Sequence, residues 1–161
     1  ARSLIGTIDF KPGPAPAAAA GETCRLSDAT WASARVGWNK PMADRLPGDA
    51  VLLRAGGRLF ARGLYAYAPS AYRYDLGGTW TKLTAKAGIA DGSDGSVVFV
   101  VLGDDKELYR SPKLRADELA DVAVDVGGVK TLELRVENAG DGNAGDRAAW
   151  LEPTVTRGPA R

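Results

Sequence analysis

An all-β fold, an antiparallel sandwich of jelly-roll type, is what this sequence predicts, and three observations predict it. Turn signals recur roughly every 8–12 residues. No long amphipathic helical repeat interrupts them. Twenty glycines in 161 residues, many at turn-like positions, favour many short strands. The hydrophobic share of 45% and charged share of 25% are those of an ordinary globular domain with one sizeable core.

Each element can be justified in order. Ser3–Phe10, SLIGTIDF, reads as one strand, and Lys11–Gly21, KPGPAPAAAAG, as a linker whose prolines favour extended chain. Residues 1–25 therefore form an N-terminal strand and extension, and 26–161 the domain. Val51–Leu53 and Arg58–Phe60 flank Gly56-Gly57, a hairpin signal. Tyr72, Tyr74 and Leu76 alternate with Arg73 and Asp75. Beyond Gly77-Gly78, Leu83, Ala85, Ala87 and Ile89 alternate with Lys82, Thr84 and Lys86. Ser96–Leu102, SVVFVVL, is apolar on both faces and is the strand expected to be most buried. Gly103–Lys106 turns it into Glu107–Arg110. One helical turn is expected around Leu114 and Leu119, and a closing strand over Ala148–Thr156.

The stretch Val122–Trp150 poses a register question. Val122, Val124 and Val126 make one alternating strand, and Leu132, Leu134 and Val136 another. Gly127-Gly128 between them looks like a two-residue hairpin turn, but that loop sets Val124 opposite Thr131 and mixes wet and dry faces. Either the loop has three residues, or the two strands belong to opposite sheets. Asn138–Asp146, NAGDGNAGD, follows as a turn-rich acidic loop.

Charge and composition narrow the function. A formal net charge of +1 gives no reason to expect nucleic acid, and no apolar run approaches the roughly 20 residues of a membrane span. There is no histidine, which removes the commonest general base and zinc ligand, and no carboxylate pair is singled out for catalysis. Cys24 is alone, so no internal disulfide forms, and it reads as an inert thiol. The chain begins with Ala1, which points to processing or excision from something longer.

Four pieces carry a family resemblance: LSDATW…GWNKPMADR, GGRLFARGLYAYAPSAYRYDL, DGSDGSVVFVVLGDDKELYRS and VDVGGVKTLELRVENAGDGNAGDRAAW. In this order they resemble the NPCBM domain, also grouped as carbohydrate-binding module family 51, from about Leu26 to about Thr156. The resemblance implies a non-catalytic sandwich module of a larger bacterial protein, secreted, periplasmic or at the cell surface. It implies a shallow loop-built site for galactose-type glycans, with calcium in a structural role. Two motifs depart from the family. A pattern close to KGLGxHAxS reads Arg62 to Ser70 here, with Tyr67 at the histidine and Tyr65 at a glycine. A pattern close to DHADWA reads Asp146 to Leu151, with Arg147 at the histidine and Ala149 at an acidic residue. Trp38, Asp44 and Arg45 are retained.

A pyranose needs an aromatic face for its CH groups and charged or amide groups for its hydroxyls. Trp38, Tyr65 and Tyr67 are candidates for the first; Asn39, Asp44, Arg45, Arg62 and Arg147 for the second. Against these stand core packing for Trp38 and for Trp150, and a solvated surface pair for Asp44 and Arg45. Asp141, Asn143 and Asp146 are candidate calcium ligands, with Asp91 and Asp94 a weaker set; hydrogen-bonded turns are the alternative for both. The competing reading of the whole is a degenerate module that acts as a structural or protein-interaction domain, its Tyr65 and Tyr67 covered by a neighbouring protein domain.

Overall fold

The computed structural model describes residues 22–46, 53–91, 95–116, 118–139 and 147–157. The expectations for Ser3–Phe10, Lys11–Gly21 and the Asp141–Asp146 loop fall outside these residues. In chain order the strands are β1 (Glu22–Arg25), β2 (Ser33–Arg35), β3 (Met42–Ala43), β4 (Leu53–Ala55), β5 (Arg58–Phe60), β6 (Gly63–Tyr65) and β7 (Ser70–Asp75). They continue with β8 (Lys82–Ile89), β9 (Ser96–Gly103), β10 (Lys106–Arg110), β11 (Leu114–Arg115), β12 (Leu119–Asp125), β13 (Thr131–Asn138) and β14 (Ala148–Arg157).

Two six-stranded sheets result, one ordered β12-β8-β14-β6-β3 with β1 also on β14, the other β10-β9-β13-β7-β2 with β11 also on β9. All pairings are antiparallel. The β4–β5 hairpin forms a third, two-stranded sheet. Its Gly56 and Gly57 both have positive φ, at 59° and 75°, the twist a two-residue turn needs to join right-twisted strands.

The register question at Gly127-Gly128 is settled by the sandwich. β12 pairs β8 in the first sheet, while β13 pairs β7 and β9 in the second. The turn therefore crosses between layers, and Val122, Val124, Leu132, Leu134 and Val136 all enter one core. Tyr72, Tyr74, Phe99 and Trp150 fill its centre. As expected, β9 is buried on both faces: Val97, Phe99 and Val101 face inward, and Val100 and Leu102 are buried too.

Two expectations are corrected. The described residues at Leu114 and Leu119 are strand rather than helix: Leu114 pairs with β9 and Leu119 with β8, and between them the Glu118 N–H donates to the Arg115 carbonyl at 3.2 Å, so this segment turns from one sheet to the other. The short helical turn of the described residues is Leu26–Asp28, a 3-10 turn. The sheet also begins upstream of Leu26, because Glu22–Arg25 pairs with the end of β14 from Glu22↔Arg157 to Arg25↔Thr154.

A second, smaller core lies outside the first sheet, where Leu53, Ala55 and Phe60 of the hairpin pack on Tyr65, Ala149 and Leu151. β6 is consequently dry on both faces: Leu64 points into the sandwich and Tyr65 into this outer core. A bulge in β14 between Leu151 and Thr154, with Glu152 at φ 50°, shifts parity so that both Trp150 and Val155 face the sandwich core.

Candidate functional site

Three pieces of chain meet at the Tyr65 end of β6. The Ala66 N–H donates to the Ala148 carbonyl at 2.8 Å. Extending the Tyr65↔Ala149 register by two residues sets Tyr67 opposite Arg147. The segment 36–41 then lies across this end, its Gly37 N–H donating to the Tyr67 carbonyl at 2.9 Å. A Cβ on Gly37 would stand 2.3 Å from the Ala68 carbonyl oxygen, so only glycine permits this approach.

That approach brings Trp38 beside Tyr67, with ring centroids 6.0 Å apart and planes at 49°. Trp38 is 51% exposed, which removes core packing as its role. The Arg147 guanidinium carbon sits 6.0 Å from the centre of the Trp38 ring, within cation–π range. Tyr67 is half-buried and its ring lies 6.4 Å from that of Tyr65. Trp38, Tyr67 and Arg147 therefore form one open cluster, with Asn39 next to it, exposed and at φ 67°.

Tyr65 is a correction, since it offers no aromatic face to a ligand. Its ring is 0% exposed because the β4–β5 hairpin, which covers the outer side of β6, packs over it. Its hydroxyl reaches out and donates to the Trp38 carbonyl at 2.8 Å. Burial pushes the phenol up to about 12, against the opposing charge of Arg147, so this donor stays protonated at ordinary pH. Tyr72 extends the brace: its oxygen accepts from the Met42 N–H at 3.2 Å and its O–H donates to the Tyr65 carbonyl. In the sequence Tyr72 shows only as one side of an alternating strand, and Gly37 only as one glycine among twenty.

Asp44 and Arg62 are brought together elsewhere. Arg62 Nη1 lies 2.5 Å from Asp28 Oδ1 and 3.3 Å from Asp44 Oδ2. Asp44, at φ 66°, accepts the Gly63 N–H at 3.0 Å and donates its own N–H to the Gly63 carbonyl at 2.8 Å. Five residue steps of near-extended chain, roughly 16 Å, separate Arg62 from Tyr67. These two residues latch β3, β6 and the 3-10 turn together rather than joining the aromatic cluster. Arg45 is exposed beside them.

Trp150 is core, 0% exposed and edge-on to Phe99 at 5.0 Å. Cys24 is buried, and burial raises its thiol to about 11, which keeps it unreactive. The Asp91 carboxylate accepts the Gly57 N–H at 3.2 Å and pairs with Arg54 at 3.8 Å, a turn-fixing role. Among the described residues no group of three acidic or thiol side chains could hold a metal ion. None of their helices is long and apolar enough to cross a membrane.

Comparison with known proteins agrees with this architecture. A protein of Renibacterium salmoninarum named "Putative endo-alpha-N-acetylgalactosaminidase" is 34% identical over 110 residues, 66% of this chain and 7% of that protein. The solved CBM51-2 and INT domains of Clostridium perfringens ZmpB, in complex with GlcNAc, superpose with a TM-score of 0.76 at 28% identity, over 84% of this chain and 32% of theirs. The CBM51 of Clostridium perfringens GH95, solved with methyl-galactose, gives 0.74 at 23% identity over 83% of this chain and 99% of its own, a likeness of fold. The chain thus spans about a third of the ZmpB structure and under a tenth of the Renibacterium protein. The family model for the NPCBM/NEW2 domain matches residues 22–156, from the first strand of the sandwich to the last, and the chain belongs to that family.

Proposed function

We propose that this chain is a non-catalytic carbohydrate-binding module that holds a galactose-type pyranose at Trp38, Tyr67 and Arg147, as part of a larger extracellular protein acting on glycans. The exposed Trp38 ring carries the reading. An indole 51% exposed costs solvation, and a braced carbonyl and a close Gly37 contact hold it beside a second aromatic ring. The apolar face of a sugar ring fits that wall, and the Arg147 donors lie at hand for its hydroxyls. The relative solved with GlcNAc, and the one whose name points to N-acetylgalactosamine linkages, support a hexopyranose or its N-acetyl derivative.

Calorimetric titration with methyl galactoside and N-acetylgalactosamine tests the reading, with dissociation constants expected in the millimolar range or below. Replacing Trp38 by Ala should weaken binding by about 30-fold, about 2 kcal/mol, with the fold retained by circular dichroism. Absence of heat at millimolar sugar overturns the reading.

Calcium at Asp141, Asn143 and Asp146 is a second, separate part of the proposal, resting on their oxygen-rich spacing. Millimolar calcium should raise the melting temperature and a chelator should reverse the rise; equal melting curves exclude that site.

A further inference from the structure

The geometry points to an anionic sugar as the ligand: a pyranose bearing a carboxylate or a sulfate, with the Arg147 guanidinium as its counter-ion. This deepens the binding-module reading and rests on it. Among the described residues, Arg62, Arg73, Arg135, Arg147 and Arg157 are the half-buried arginines. Four have a carboxylate partner: Arg62 has Asp28 and Asp44, Arg73 and Arg135 share Glu133, and Arg157 has Glu22. Arg147 has no carboxylate partner among the described residues, and its recorded neighbour is the face of Trp38.

A partly desolvated cation without an anion is unfavourable unless something repays its lost hydration. A cation–π contact does so in part, and it leaves the fork of N–H donors unspent. Among the described residues, the acid Asp91 is not available. It adjoins Ala90, whose N–H donates to the Arg147 carbonyl at 2.7 Å, but its carboxylate is committed to Gly57 and Arg54. The charge of Arg147 is felt at the Tyr65 phenol, where it opposes the effect of burial, so its field reaches into the cluster. A ring stacked on Trp38 would lie beside this guanidinium, and an acidic substituent on that ring could take a bidentate bond from it.

The test is a titration of the 161-residue chain with methyl galactoside, galacturonate and galactose 6-sulfate, at low and high salt. The acidic sugars should bind about tenfold tighter than the neutral one, and the margin should shrink as salt rises. Preference for galacturonate assigns the carboxylate as the anion; preference for galactose 6-sulfate assigns the sulfate. The Arg147→Gln variant should lose the margin, its affinity for the acidic sugars falling about tenfold further than its affinity for the neutral one. Equal affinities for all three sugars overturn the anion assignment and leave the binding module standing. An Arg147→Gln variant that weakens all three sugars equally also overturns it. Failure of every sugar to bind sinks both.

Discussion

The two ends of β6 each present an arginine, and the arginines are held in different ways. At the Gly63 end, Arg62 is engaged by Asp28 and Asp44, and Asp44 is itself tied to the Gly63 backbone. At the Tyr65 end, Arg147 rests on an indole, and the neighbouring donors and rings are fixed by tyrosines rather than by acids. A guanidinium whose donors are spent on carboxylates is a fastener. One held by a ring face is positioned but chemically open, which is what a recognition group requires.

The comparison can be broken most forcefully at Gly37. Gly37→Ala drives a Cβ against the Ala68 carbonyl, so the loop must lift; we expect about 2 kcal/mol of destabilisation and at least a tenfold loss of sugar affinity. Thermal melts and calorimetry read the two effects separately, and a variant with unchanged affinity would show that the close approach does not set the Trp38 position.

Tyr65→Phe keeps the buried ring and removes the donor to Trp38. The expected cost is about 1 kcal/mol, a drop of about 2–4 °C in melting temperature, with a smaller, severalfold loss of affinity. The wild-type phenol, raised from 10.0 to about 12, contributes stability that is complete below pH 10 and is lost as pH climbs through 12. Melts across that window should therefore fall more steeply for the wild type than for Tyr65→Phe.

Arg62→Ala is the smallest and the sharpest control. Its ion pairs are 39% exposed on the arginine side, so water screens them and the loss should be at most about 1 kcal/mol. Sugar affinity should not change, because the latch lies at the other end of the strand. A matching loss of affinity would mean the two ends act as one unit.

Much of the scaffold was legible because alternation is local. β7, β8, β12 and β13 each state their dry face within a few residues, and the parity clash at Gly127-Gly128 admits the two-layer solution that β12 and β13 adopt. The site was only half legible. Trp38, Tyr67 and Arg147 come from three segments whose meeting depends on the β6–β14 register, which no local pattern encodes. Tyr65 misled because β6 lacks a polar face, and burial of its second side depends on a hairpin that packs back over it. The pair Leu114 and Leu119 misled differently: the short stretch that holds them reads as one turn of helix, yet each belongs to a different sheet.

Pairing of Glu22 with Arg157 has an architectural corollary. β14 starts beside the aromatic cluster and ends, ten residues and roughly 30 Å later, next to the beginning of β1. The start of the first described strand and the end of the last are thus neighbours at the pole remote from Trp38. Under the proposed function, a longer polypeptide joined through Glu22 and Arg157 would leave from that pole and not from the one that carries Trp38.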